Sequence, residues 1–148
     1  MTDIRVMGEK YKRSRKRASD SDFTMTKIPK EVMDSMEKSE VFVLATTTKD
    51  GKPNVVYVAY LKAIDDETII IADNKMVKTL ENVLANPQMA FTFRDDEVGS
   101  YQIKGSIEYH TDDEYHDEVK KWCKQHLARK GAIILHVEEV YNGSKKLA

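Results

Sequence analysis

Apolar residues gather in several separate stretches of this 148-residue chain, and the stretches differ in period. Residues 41–47, 54–64, 68–72, 89–94, 101–110 and 132–141 are rich in β-branched and aromatic side chains and bounded by turn residues, so each predicts a strand. Asp50-Gly51 followed by Lys52-Pro53 predicts a hairpin turn, and Asp65-Asp66-Glu67 predicts a second turn. A three- and four-residue spacing appears elsewhere. Val32, Met33 and Met36 behind Pro29 predict a helix over 29–39. Met76, Leu80, Val83 and Leu84 predict a helix over 75–85, stopped by Asn86-Pro87. Thr111-Asp112-Asp113-Glu114 has the form of a capping box, predicting a helix that runs to Lys130 and is closed by Gly131. Residues 142–148 read as a polar tail. Six strands in this order, joined mostly by hairpins, predict a mainly β protein: a six-stranded antiparallel split barrel flanked by two to three helices. Closure of a sheet removes the exposed edges that invite aggregation.

Charge divides the chain in two. Residues 1–24 carry seven cations and four anions with almost no apolar periodicity, and so form a basic N-terminal arm of net +3. The patterned domain, residues 25–148, is then acidic, since the whole chain is close to neutral at −1. A globally basic nucleic-acid binder is excluded, although the arm alone is a candidate for nucleic acid or anionic lipid. A solvated or partner-packed arm is the plainer expectation. The single cysteine, Cys123, excludes an internal disulfide and leaves no Cys cluster for zinc. No apolar run reaches the roughly 20 residues of a membrane span, and the N-terminus lacks an apolar signal core, so a cytoplasmic protein is expected.

Candidate chemistry concentrates at Asp73-Asn74-Lys75-Met76-Val77-Lys78-Thr79. Cations are disfavoured in the first turn of a helix, where the dipole is positive and N–H groups lack partners. Lys75 and Lys78 both fall there by the predicted boundary, with the Thr79 hydroxyl beside them. An anion, above all a phosphate, would resolve the conflict. Two lysines pointing into water is the alternative. No G-x-G-x-x-G or G-x-x-x-x-G-K-[ST] motif occurs, which disfavours the common nucleotide folds.

The stretch 41–54 (VFVLATTTKDGKPN), Tyr60-Leu61-Lys62, Ile69-Ile70-Ile71-Ala72-Asp73, Lys78-Thr79, Asn82 and Asn86-Pro87 together resemble the FMN-binding split barrels, relatives of pyridoxamine 5′-phosphate oxidase. The resemblance covers residues 25–142 and implies a homodimer with FMN at the subunit interface. It implies that Lys78 and Thr79 hold the FMN phosphate, with Lys75 nearby. It further implies that Val56, Tyr57, Val58 and Ala59 run along the isoalloxazine ring, that Ala72, Asp73 and Asn74 contact the ring or ribityl chain, and that Gln102 is a weaker contact. It implies an oxidoreductase or flavin reductase with a nicotinamide donor as a candidate. A non-catalytic FMN carrier or electron-transfer protein is the alternative, and a deazaflavin could occupy the same cleft. Lys62 and Lys52 are candidate cations for the flavin's pyrimidine edge, and Trp122 a candidate neighbour of the partner's flavin. Two departures narrow the reading. The Trp-and-Arg/His-rich C-terminal signature of the vitamin B6 oxidase is missing, which argues against pyridoxamine-phosphate oxidation. Asp73-Asn74-Lys75 also stands where some members have glycines.

The remaining motifs have plainer readings. Asp-Asp-Glu occurs at 65–67, 95–97 and 112–114, twice in predicted turns and once at a helix start, so these acids read as turn and cap residues. Cys123 and His126 lie three apart on the predicted helix, too few ligands for zinc, and no metal site is expected. Tyr115, Val119, Trp122, Cys123 and His126 form a helical stripe that reads as core or dimer contact.

Overall fold

A computed structural model describes residues 26–97 and 99–148. The basic arm lies outside the described residues. Among the described residues three helices, α1 (Lys30–Lys38), α2 (Lys78–Ala85) and α3 (Glu114–Trp122), accompany eight strands: β1 (Phe42–Thr47), β2 (Pro53–Val58), β3 (Leu61–Asp65), β4 (Thr68–Asp73), β5 (Gln88–Asp95), β6 (Gly99–His110), β7 (Gly131–Asn142) and β8 (Lys145–Lys146). All eight belong to one antiparallel sheet in the order β2-β1-β5-β6-β7-β4-β3, with β8 on β7. The class is mainly β as expected, with eight strands where six were predicted.

The two extra strands have separate causes. Residues 54–64, expected as one strand, divide because β2 pairs with β1 whereas β3 pairs with β4, at the two opposite ends of the sheet. Only Ala59 and Tyr60 join these ends, so the sheet must curl until its edges meet there. That geometry is the split in the barrel. The Tyr60 carbonyl accepts the Ala72 N–H at 3.0 Å, which starts the β3–β4 ladder at the bend. The second extra strand is β8. Asn142-Gly143, with Gly143 at φ 57°, folds the expected polar tail back on β7.

Strand burial follows from the layers. β4 is buried at all six positions, because Ile69 and Ile71 face the barrel core while Ile70 and Ala72 pack under α3 with Tyr115, Val119, Cys123 and Ile134. Covered on both faces, such a strand reads as a continuous apolar run. Phe42, Phe91, Phe93 and Tyr101 pack together within the barrel core, Phe42 edge-on to Phe91 and Phe93, with neighbouring ring centroids 5.5–6.1 Å apart. Gly105 lies at the β6–β7 register shift, where an added Cβ would run into the His136 carbonyl.

Two helix boundaries depart from expectation. α3 ends at Trp122, with Cys123 extended (φ −80°, ψ 148°), so Gly131 opens β7 rather than closing the helix. The Arg129 guanidinium donates to the Lys120 carbonyl at 2.9 Å, satisfying an end that the helix leaves open. The cap at the other end is Asp113, not Thr111: its Oδ1 accepts the Tyr115 and His116 N–H groups at 3.0 and 3.1 Å. The other two Asp-Asp-Glu copies form matching turns, in which Asp65 and Asp95 accept the N–H groups of Glu67 and Glu97 at 2.8 and 2.9 Å.

Candidate functional site

α2 begins at Lys78, so Lys75 precedes the helix instead of occupying its first turn. The cause is Asp73, which accepts the Met76 N–H at 2.9 Å and holds residues 74–77 as a separate turn. The conflict over cations in the first turn therefore concerns Lys78 alone. Its Nζ reaches Glu81 at 2.7 Å, with both side chains 60% exposed, a pair of little energetic weight. The N-cap Val77 supplies no side-chain acceptor, so among the described residues the N-terminus of α2 has no side-chain cap.

This N-terminus opens into a cleft of about 470 Å³ between β2, the end of β4 and the turn before α2. Val56, Tyr57, Val58, Ala59, Ala72, Asn74, Lys75, Lys78 and Thr79 line it, so the fold gathers nine of the eleven predicted cofactor-binding residues into one place. Sequence reading missed Tyr60, Met76, Val77 and Leu127, which also line it. Leu127 comes from the loop between α3 and β7, and no local pattern announces that approach.

Two predicted residues lie elsewhere. Gln102 sits on β6 between Thr92 of β5 and Tyr141 of β7, away from the cleft. Asp73 is fully buried behind the cleft and committed to the protein. Besides Met76 N–H, its carboxylate accepts the Tyr109 hydroxyl at 2.6 Å and lies 3.7 Å from Lys130 Nζ. Lys130 Nζ also donates to the Met76 carbonyl at 2.9 Å, and the Arg129 N–H donates to Asn74 Oδ1 at 2.9 Å. Burial and the Asp73 carboxylate together push the Tyr109 hydroxyl well above its ordinary pKa, so it stays a donor.

Three amide-to-hydroxyl hydrogen bonds fasten α2 to the first hairpin. Asn54 donates to Thr79 Oγ1 at 3.1 Å, Asn82 to Thr46 Oγ1 at 3.1 Å, and Asn86 to Thr47 Oγ1 at 2.9 Å. Each contributes about 1 kcal/mol. In the sequence Asn82 and Asn86-Pro87 stand out as part of the family resemblance and as the stop of the helix, and neither signal points to a threonine partner on the hairpin.

The candidate pyrimidine-edge cations are placed apart from this cleft. Lys62 pairs with Glu118 at 3.0 Å and lies 4.5 Å over the Trp122 ring. Both Lys62 and Trp122 face a second cleft, across the β2–β3 bend, walled by α1. Lys52 is exposed beside the Asp50-Gly51 turn. Cys123 and His126 do not share a helix, and burial pushes the Cys123 thiol upward in pKa. Among the described residues no three His, Cys, Asp or Glu side chains gather in a group able to hold a metal. None of the described helices is long and apolar enough to cross a membrane.

Fold and cleft together define a split-barrel protein with a cleft that is apolar along β2 and carries Lys75 and Lys78 at the start of α2. Comparison with known proteins agrees. The family profile "Pyridoxamine 5′-phosphate oxidase" matches residues 28–143, and the chain belongs to that family. An uncharacterised protein of Methanocaldococcus jannaschii is 40% identical over 124 residues, covering 80% of this chain and 83% of its own. The crystal structure of HupZ from Group A Streptococcus superposes with a TM-score of 0.73 at 27% identity, covering 82% of this chain and 98% of that one. A putative pyridoxamine 5′-phosphate oxidase of Lactobacillus delbrueckii gives 0.68 at 22%, covering 78% and 93%. More distant likenesses, at 15–16% identity and TM-scores of 0.56, 0.63 and 0.61, show the fold alone. They are an FMN-binding protein of Syntrophomonas wolfei, an F420 reductase and the haem storage protein HutZ of Vibrio cholerae.

Proposed function

We propose that this chain is a flavoprotein that holds FMN in the β2–α2 cleft and works as an oxidoreductase or flavin reductase. The observation that carries the reading is the donor set. An apolar edge strand, Val56–Val58, runs toward an uncapped helix N-terminus flanked by two ammonium groups and a hydroxyl. A planar ring suits the strand and a phosphate suits the helix start. The cleft volume lies within the usual range of about 300–1,000 Å³ for cofactor sites. When bound, FMN supplies hydride or single-electron transfer, and the protein supplies placement and electrostatics. Lys75 and Lys78 neutralise the phosphate end, Thr79 donates a hydrogen bond there, and the β2 backbone orients the ring's polar edge.

The protein is further proposed to act as a homodimer. Tyr57 and Val77 line the cleft yet are 79% and 70% exposed, and Val55 beside them on the edge strand is 63% exposed. A single copy thus leaves the outer wall of the cleft bare, and a second copy would cover it. A nicotinamide nucleotide is the proposed electron donor, and a cytoplasmic location is proposed with it.

A second reading, a non-catalytic carrier or electron-transfer protein, is favoured by a specific observation. Among the described residues no carboxylate, histidine or thiol lines the cleft. Purified protein titrated with FMN, F420 and haem should bind FMN tightest, and Lys78→Ala with Thr79→Ala should weaken that binding by about 100-fold. Equal affinity of this variant and the native protein would sink the phosphate site. Bleaching of the bound flavin by NADH or NADPH separates the reductase from the carrier.

A further inference from the structure

We propose that Asn54 is a positioning residue for the phosphate end of the cleft, acting through Thr79. The inference rests on the FMN reading above and concerns a residue outside the cleft lining. Asn54 stands on β2, opposite Thr46 in the β1–β2 ladder, and its Nδ2 donates to Thr79 Oγ1 at 3.1 Å. A threonine hydroxyl has one proton to give and two lone pairs to accept with. Asn54 takes one of those lone pairs as a donor, so the Thr79 proton cannot be given to its Nδ2 and is left to be donated elsewhere. Thr79 is 2% exposed, the second residue of α2, and lines the cleft at the uncapped helix start. The acceptor its position favours is an anionic oxygen in the cleft. Asn54 thus sets the polarity of the hydroxyl before a ligand arrives, and no reorientation is needed on binding.

The neighbouring pair supplies an internal comparison. Asn82 donates to Thr46 Oγ1 at the same 3.1 Å, with both residues buried, and fastens the same helix to the same hairpin. Neither Thr46 nor Asn82 lines the cleft. If the two bonds served only to anchor α2, removing either would have the same consequence for every ligand.

The test measures affinity for FMN and for riboflavin, which lacks the phosphate, by quenching of flavin fluorescence, with thermal unfolding recorded for each variant. Asn54→Ala should lower FMN affinity about 10-fold and leave riboflavin unchanged, the scale of one charge-assisted hydrogen bond. Asn54→Asp, nearly the same shape, should lower it further. A carboxylate only accepts, so it takes the Thr79 proton for itself and adds a negative charge. In a Thr79→Val background Asn54→Ala should have no additional effect on FMN. Asn82→Ala should lower the unfolding temperature while leaving the ratio of FMN to riboflavin affinity at its native value.

Equal losses for FMN and riboflavin in Asn54→Ala would make Asn54 a purely structural residue and overturn the inference. An unchanged ratio in both Asn54 variants would overturn it too, with the FMN site intact. Native protein that binds FMN no better than riboflavin would instead remove the phosphate site itself, and the inference with it. Should Asn54→Ala fail to fold, the near-isosteric Asn54→Asp carries the test alone.

Discussion

On one side of the cleft, the end of β4 and the turn 74–77 are held by hydrogen bonds from three residues of two other elements: Tyr109 from β6, and Arg129 and Lys130 from the loop before β7. Asp73, at the centre of that network, is completely buried. On the other side, β2 pairs with β1 alone and turns Val55 and Tyr57 outward. The fixed wall places Lys75 and the entrance to α2 where an anion can meet them. The open wall exposes the side chains of Val55 and Tyr57. Such a difference separates a wall that the fold itself fixes from one that, in the proposed homodimer, a second copy would cover.

The sharpest way to break the comparison is at its buried centre. Asp73→Ala removes an acceptor shared by Met76, Tyr109 and Lys130 and should cost about 3 kcal/mol, as loss of one partner from a buried charged network does. In a chain of this size that is roughly 6–12 °C of melting temperature, readable by calorimetry. An equal loss from Tyr57→Ser, on the open wall, would abolish the distinction.

A smaller effect is confined to alkaline pH. Burial holds the Tyr109 and Tyr115 hydroxyls above the ordinary tyrosine pKa of about 10. Above that pH the unfolded chain sheds protons that the native state retains, so stability present below about pH 10 is lost as pH rises. Melting temperature should fall through this range in the native protein and fall less in Tyr109→Phe. Identical alkaline slopes would remove Tyr109 from the account.

The smallest expected change in stability is at the open wall. Tyr57→Ser should shift monomer stability by no more than about 0.5 kcal/mol, as exposed substitutions do. It should nevertheless shift the oligomeric state toward monomer in light scattering. A variant that remains as associated as the native chain would show that this face is not the one a second copy covers.

Helix α2, the Asp50-Gly51 hairpin and the doubly covered β4 could all be read from the chain because each rests on neighbours in sequence. Gly51 takes φ 91°, a conformation its residue type accepts without strain, and the Ile69-Ile70-Ile71 run needs only two covering layers. Of the cleft, Lys75, Lys78 and Thr79 could be read from the chain as a cationic helix start, whereas Val56–Ala59, Ala72 and Asn74 are implied only by the family resemblance. What could not be read depends on partners far away in sequence. Nothing local in residues 54–64 says that their halves pair at opposite ends of one sheet. Nor does any breaker after Trp122 end α3: Arg129, at φ 48°, is brought by the fold to the Lys120 carbonyl in its last turn. Asp73 illustrates the point most directly. As a residue type at a strand end it reads as a ligand contact, and only Tyr109 and Lys130, 36 and 57 positions on, turn it into a buried fastening. Backbone propensity and side-chain period act over a few residues, so composition and pattern set the elements. Which edge a strand joins, and which polar group a buried carboxylate meets, are settled by pairing energies that exist only once the barrel has closed.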